Sequence, residues 1–290
     1  MKALINGKMV TGLDVDPVVP ATIQCESCIQ AKALHQSFPK ESTLRAEKAG
    51  DLTHTDLWGP ARTQSPSGAK YFITFTDDHT RRVTIKFLKL KSDADQALKN
   101  CVAWIETQLG RKPKAFRCDN GREYIGRKPW LEEQGIECQM MAPHSPSQNG
   151  VAECQNRTLT ELMQAMMAEK LLPQTLWSVA IAHAAYIRNR SPMRALDGKT
   201  PMEAWTGNKP NLSHLREFGC NVWILDEGDR AKTQPKSNKF TFVGFVEGSK
   251  SIQYWNPQTR LSTSLLADHS DPDSHDLHFC GSLVSSTHFA

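Results

Sequence analysis

The sequence predicts an α/β sandwich on a mixed sheet, followed by a small all-β unit. Three observations carry this prediction: three consecutive strand-like segments within residues 51–90, a strand–strand–helix series within 114–172 after an intervening amphipathic helix, and a switch to strands alone beyond about residue 214. DLTHTDLW, then KYFITFTDD after the turn signal SPSG, then RVTIKFLKL with Val83, Ile85 and Phe87 alternating, read as an antiparallel meander. Ser92 with Asp95 three residues on resembles a capping box, and Ala94, Ala97, Leu98, Cys101, Val102, Ile105 and Leu109 follow at helical spacing up to Gly110. PKAFRCDNG reads as a short strand ending in a turn and IECQMMAP as another. Residues 151–172 read as a long helix stopped before Pro173, since proline cannot continue the backbone hydrogen-bond ladder. A second helix is expected from Gln174 to about Asn189, followed by the turn-rich RSPMRALDGKTP. NVWIL, KFTFVGFVEG and IQYWNPQTRLST, punctuated by Gly and Asn-Pro, form the all-β unit.

Composition excludes some classes and leaves others open. The 290 residues, 39% hydrophobic, suffice for one or two cores. Lys and Arg number 35 against 31 acids, a formal charge of +4, which permits a polyanionic partner without requiring one. No apolar run approaches the roughly 18 residues of a membrane span, and MKALINGKMVTGLDVD lacks the apolar stretch of a secretory signal, so an intracellular protein with no membrane partner is expected. Of eight cysteines only Cys25 and Cys28 are closely paired, as suits reduced thiols better than a disulfide framework.

Asp56 lies on the first strand, Asp119 at the end of the fourth, and Glu153 opens the long helix. On that helix Arg157, Thr160 and Gln164 share the side of Glu153, while Leu159, Leu162, Met163 and Met166 form the opposite stripe. A guanidinium one turn from the glutamate could hold a phosphate. Position alone does not decide the matter, because acids at strand ends and helix starts also serve as turn formers and dipole partners.

The local strings are more specific. HTDLWGP, FTDDHTR, CDNGREY, APHSPSQNGVAECQNRTL and REFGCNVWI, in this order, resemble the integrase of copia-type long-terminal-repeat retrotransposons, over roughly Gly12 to Ser264. The resemblance implies an RNase H-like catalytic core over residues 46–210, an SH3-like β-barrel over 214–266 and a partial zinc-unit remnant with linker over 1–45, while residues 267–290, which show no sustained period, read as a disordered tail. It also implies a D,D,E triad of Asp56, Asp119 and Glu153 holding two Mg²⁺ or Mn²⁺ ions for DNA end processing and strand transfer. DNA is the implied partner, with RNA a second candidate, the expected assembly is a homo-oligomer on DNA, and the expected location is the nucleus. Thirty-three residues separate Asp119 from Glu153, slightly fewer than is usual in the family.

Further expectations follow from the same resemblance. Gln148, Asn149 and the hinge Gly150 seat the DNA end, and Arg157 contacts backbone phosphate; the less favoured alternative for the loop is a plain helix-entry turn. Cys154 and Gln155 stand where the family commonly has two cations, which should weaken DNA binding. Trp223, Phe242 and Tyr254 are assigned to the core of the β unit rather than to base stacking. Cys25 and Cys28 match the cysteine half of an N-terminal zinc unit, but no histidine precedes His35, so two thiolates supply only half of a tetrahedral shell and zinc is doubtful. The missing half suggests a truncated or domesticated fragment. The competing reading is a catalytically inactive nucleic-acid-binding relic of a retroelement. A ribonuclease on the same fold would share the metal chemistry, but the HTD and NGVAE strings lend it no support.

Overall fold

The computed structural model describes residues 45–118, 126–140, 150–225, 233, 235–246, 251–259, 261–266 and 277–279. Strands β1 (Leu52–Trp58), β2 (Tyr71–Asp77), β3 (Val83–Leu88), β4 (Ala115–Cys118) and β5 (Glu137–Met140) form one mixed sheet in the order β3-β2-β1-β4-β5. The first three pair antiparallel, as their short connections allow. β4 runs parallel to both β1 and β5, and such pairs need crossovers, which are supplied by helices α1 (Ala94–Leu109) and α2 (Lys128–Glu133). β2 is buried on both faces, so its sequence shows no clean polar alternation.

Each face of the sheet carries helices. Ile73, Phe75, Phe116 and Cys118 pack against Leu98, Cys101, Val102 and Ile105 of α1 and Leu131 of α2. On the other face Phe72 and Val83 meet Leu159 and Met163 of α3 (Gly150–Glu169) and Trp177, Ala180 and Ile181 of α4 (Trp177–Arg190). Phe72, Phe116, Ile73, Leu98 and Leu159 are fully enclosed, each contributing about 1.5–3 kcal/mol by leaving water. Asn189 of α4 adds a polar fixing point: its carboxamide accepts from Val83 N–H at 2.9 Å and donates to Val83 C=O at 2.8 Å, pairing the edge strand as another strand would. Among the described residues no helix is long and apolar enough to cross a membrane.

The structure amends several local expectations. No Ser92–Asp95 capping box forms at the start of α1, because Ser92 lies inside a one-turn 3₁₀ segment, Lys91–Asp93, that precedes the helix; the Asp93 carboxylate accepts from Leu90 N–H at 2.9 Å and so caps that segment. α2 and α5 (Pro201–Thr206) escaped the sequence reading, being only six residues long. Both carry proline in the first turn, and Thr200 Oγ1 accepts from Glu203 N–H at 3.0 Å, so the start of α5 had a legible signature. Trp205 of α5 stacks on Trp104 of α1 at 5.3 Å, with the Arg82 guanidinium 4.5 Å from the Trp104 ring.

The second sheet comprises β6 (Asn221–Leu225), β7 (Ser237–Phe245), β8 (Ser251–Asn256), β9 (Leu261–Leu266) and β10 (Leu277–Phe279), all antiparallel, in the order β10-β6-β7-β8-β9. β10 corrects the expectation of a wholly disordered tail: Leu277–Phe279 pair with Val222–Ile224 along the outer edge of β6. Three residues are too few to register as a period in sequence. Phe242 is fully buried with Val222, Ile224 and Ile252 in this sheet's own core, as expected. Tyr254 is half-buried against Phe240 at 4.8 Å, and Trp223 is half-buried beneath the Lys239 ammonium.

Neighbouring positions of β7 face opposite ways, so Val243 leaves the small core and joins α3 and α4 on the first sheet. Gly244 follows at φ 141°, where a Cβ would sit 3.6 Å from His183 Nδ1 of α4. The buried His183 ring lies among Phe218, Phe242 and Phe245 at 5.2–5.9 Å, and its Nδ1 finds no hydrogen-bond partner among the described residues. Burial pushes its pKa down to about 4. An unfolded histidine takes up its proton near pH 6.5, so this neutral ring contributes stability that is complete above that pH and lost as pH falls toward 4. Between pH 7 and pH 5 the loss should be about 2 kcal/mol. Denaturant titrations should show a correspondingly flatter pH dependence in His183→Leu than in the parent, and equal slopes would remove His183 from the account.

Candidate active site

β1 lies between β2 and β4, pairing with β2 over Thr53–Trp58 and with β4 over Leu52–His54. Alternation sends His54, Asp56 and Trp58 to the face covered by α3 and α4. Trp58 stacks on Phe72 at 4.9 Å and touches Trp177 at 5.8 Å, anchoring the end of the strand beyond Asp56. Asp56 itself is half-buried and lies opposite Thr74 of β2.

α3 reaches Asp56 through a side chain absent from the sequence-based site. Asn156 Nδ2 donates to Asp56 Oδ2 at 2.7 Å, while Asn156 Oδ1 accepts from Thr74 Oγ1 at 2.8 Å. Both Asn156 and Thr74 are buried, so the relay is shielded from competing water, and each polar group finds the partner that burial demands. Glu153 precedes Asn156 by three residues, which puts it on the same side of the helix one turn nearer the N-terminus, where it is exposed. The helix dipole favours a carboxylate there. Arg157 is also exposed, and its only described polar neighbour is Cys154 Sγ at 3.8 Å.

Asp56 and Glu153 thus come from two packed elements and share one side of the sheet, with Arg157 one turn along and Gly150 at the helix start. Asp119, Gln148, Asn149, Cys25 and Cys28 lie outside the described residues. β4 runs beside β1 and ends at Cys118, the residue before Asp119 in the chain. Among the described residues no group of three or more His, Cys, Asp or Glu converges on a metal-sized position. Two carboxylates on facing elements are nevertheless the hard oxygen donors that divalent Mg²⁺ or Mn²⁺ requires. Cys154 is exposed but Gln155 is buried, so of the two positions lacking family cations only 154 faces solvent. A groove of about 810 Å³ lined by Trp58, Met163, Leu171 and Trp177 lies on this side of the sheet, and none of the acids line it.

The second acidic string, FTDDHTR, has a different role. Asp77 accepts from Gly50 N–H at 2.6 Å and from both the N–H and Oγ1 of Thr80 at 2.7 Å. Asp78 accepts from Ala46 N–H and Arg81 at 2.7 Å and pairs with His54 Nε2 at 3.0 Å. Burial opposes ionisation of Asp78, but the bonds from His54 and Ala46 and the charge of Arg81 outweigh it and hold the carboxyl well below its usual range. Burial likewise pushes His54 down, against the pull of Asp78. These acids clamp the segment entering β1 to the turn after β2.

Sequence reasoning missed Asn156 and Thr74. A signal existed: Ala152, Gln155, Asn156, Leu159 and Met163 form the buried stripe of α3, and two amides within such a stripe call for buried partners.

Residues 46–146 match the family model of the integrase core domain. The chain is 34% identical over 236 residues to the retrovirus-related Pol polyprotein from transposon TNT 1-94 of Nicotiana tabacum, a match covering 80% of this chain and 18% of the relative. It is 27% identical over 230 residues to the transposon Ty1-ML2 Gag-Pol polyprotein of Saccharomyces cerevisiae, covering 77% and 13%. The chain therefore spans less than a fifth of the length of these relatives. Among solved structures it resembles a chain of the simian T-cell lymphotropic virus intasome in complex with the PP2A regulatory subunit B56 gamma, with a TM-score of 0.50 and 16% identity over 83% of this chain and 84% of that one. That likeness speaks to fold alone: a mixed sheet flanked by helices, of RNase H-like type. By sequence, the chain matches the integrase core domain over residues 46–146 and is a homologue of the Pol polyproteins of copia-type and Ty1 retrotransposons.

Proposed function

We propose that this chain is a DNA integrase that trims DNA ends and joins them to target DNA, with Asp56, Asp119 and Glu153 as ligands for Mg²⁺ or Mn²⁺. The observation that carries this reading is the fixing of Asp56 by Asn156, one helical turn from Glu153, on a core homologous to integrases. Divalent ions bound there would activate water or a DNA 3′-hydroxyl and neutralise charge developing on the leaving oxygen. The chain's own residues do the positioning. Asn156 holds the Asp56 carboxylate in one orientation, Glu153 offers a second carboxylate from the first turn of α3, and Arg157 stands ready for a backbone phosphate. We assign Gln148, Asn149 and Gly150 to the DNA end, homo-oligomerisation to assembly on that DNA, and the nucleus as the place of action.

Asp56→Asn, Asp119→Asn and Glu153→Gln each remove a ligand charge at nearly constant size. Each should lower Mn²⁺-dependent nicking and joining of a duplex oligonucleotide by about 100-fold or more. The parent should also gain more thermal stability from Mn²⁺ than any variant, since the metal relieves repulsion among clustered carboxylates. Retained activity would exclude the residue concerned, and DNA binding without activity in the parent would favour the relic instead.

Asn156→Ala removes the carboxamide bonded to Thr74 Oγ1 and Asp56 Oδ2 and should destabilise the fold by about 1–3 kcal/mol. Activity should fall by about 10–100-fold, with the half-saturating Mn²⁺ concentration raised, as expected for a residue that orients a ligand. A Mn²⁺ dependence identical to the parent's would reduce Asn156 to a structural role.

A further inference from the structure

The adjacent strands β4 and β5 of the first sheet bring three sulfur-bearing side chains together. In the parallel register Phe116 lies beside Cys138 and Cys118 beside Met140, and all four belong to the cluster that α1 and α2 cover. Cys138 Sγ is 3.6 Å from Met140 Sδ, and Cys118 is the cross-strand neighbour of Met140 within the same cluster. Cys118 is almost fully buried, whereas Cys138 and Met140 are half-buried and give access from solvent. The surroundings, Leu131 and Ile136 among them, are apolar.

We propose that Cys118, Cys138 and Met140 form a binding site for a soft monovalent cation of the Cu(I) type. Two thiolates and a thioether are the donor set that selects Cu(I) over harder ions. Metal–sulfur bonds of about 2.3 Å at tetrahedral to trigonal angles separate the sulfurs by roughly 3.8–4.0 Å, so the observed 3.6 Å needs only a few tenths of an ångström of movement. Mg²⁺ and Mn²⁺ prefer oxygen, and a closed zinc site needs a fourth nitrogen or sulfur donor. Binding releases the thiol protons to solvent. The site stands apart from the carboxylates in ligand chemistry, although Cys118 directly precedes Asp119 in the chain.

The test uses the full chain with Cys25→Ser and Cys28→Ser, which removes the other close thiol pair, reduced and free of oxygen. Cu(I) is titrated against the chelator bicinchoninate, and X-ray absorption counts sulfur neighbours. The expected result is one Cu(I) per chain with three sulfur neighbours. Cys138→Ser should weaken binding by about 100-fold, and Met140→Leu should weaken it by about 10-fold and leave two sulfurs. Met140→Leu keeps volume and apolarity, so it reports ligand loss even if Cys138→Ser melts early. No Cu(I) retained against the chelator, or unchanged affinity in both variants, would overturn the proposal without touching the integrase reading.

Discussion

A single carboxamide fixes the site. Apolar contacts such as those of Leu159 and Met163 tolerate small shifts of a helix over a sheet, because dispersion and hydrophobic burial depend weakly on orientation. The bonds that Asn156 makes to Asp56 and Thr74, at 2.7 and 2.8 Å, do not tolerate them. An amide buried at that depth is costly unless both of its ends are paired, so the packed state of α3 and the paired state of Asn156 are the same state. Glu153 rides one turn ahead, and its position relative to β1 is inherited from that pairing. α4 is registered in the same manner by Asn189, whose two bonds to Val83 occupy the outer strand of the sheet. Both helices on this face thus take their hydrophobic attachment from a broad stripe and their register from one asparagine.

The small β unit extends the same construction. Phe242 faces inward to its own sheet and Val243 outward to α3 and α4, so one strand belongs to two cores. Gly244 lets β7 approach His183 closely, and the aromatic rings of Phe218, Phe242 and Phe245 enclose the imidazole. The geometry of the helix layer is therefore stiffened from both sides: by the sheet that carries Asp56 and by a strand of the second sheet.

Much of this was legible in sequence because it depends on local pattern. The strands of the meander, α1 ending at Gly110 and α3 stopping before Pro173 all follow from periodicity and breakers. The strings HTDLWGP and NGVAE placed Asp56 and Glu153 on the elements that carry them. What sequence hid was non-local. Asn156 looked like one polar residue among many in QNRTLT, and nothing in that string names Thr74, 82 positions away, as its partner. Two short helices fell below the length at which a period can be counted, and the pairing of Leu277–Phe279 depends on an edge offered by β6.

The acids of the first sheet show how environment, rather than residue type, divides structural from chemical roles. Asp77 and Asp78 lie in a string as family-like as that of Asp56, yet backbone N–H groups, a hydroxyl, a guanidinium and an imidazole surround their oxygens. Carboxylates so fully engaged hold the chain in place, and a metal would have to displace several short bonds to reach them. Glu153 stands in solvent at a helix start, among groups that a phosphate could approach, and the Asn156 amide orients Asp56 through its Oδ2. A fixed mounting at Asp56 and open surroundings at Glu153 are the conditions under which carboxylates can act on something other than their own chain.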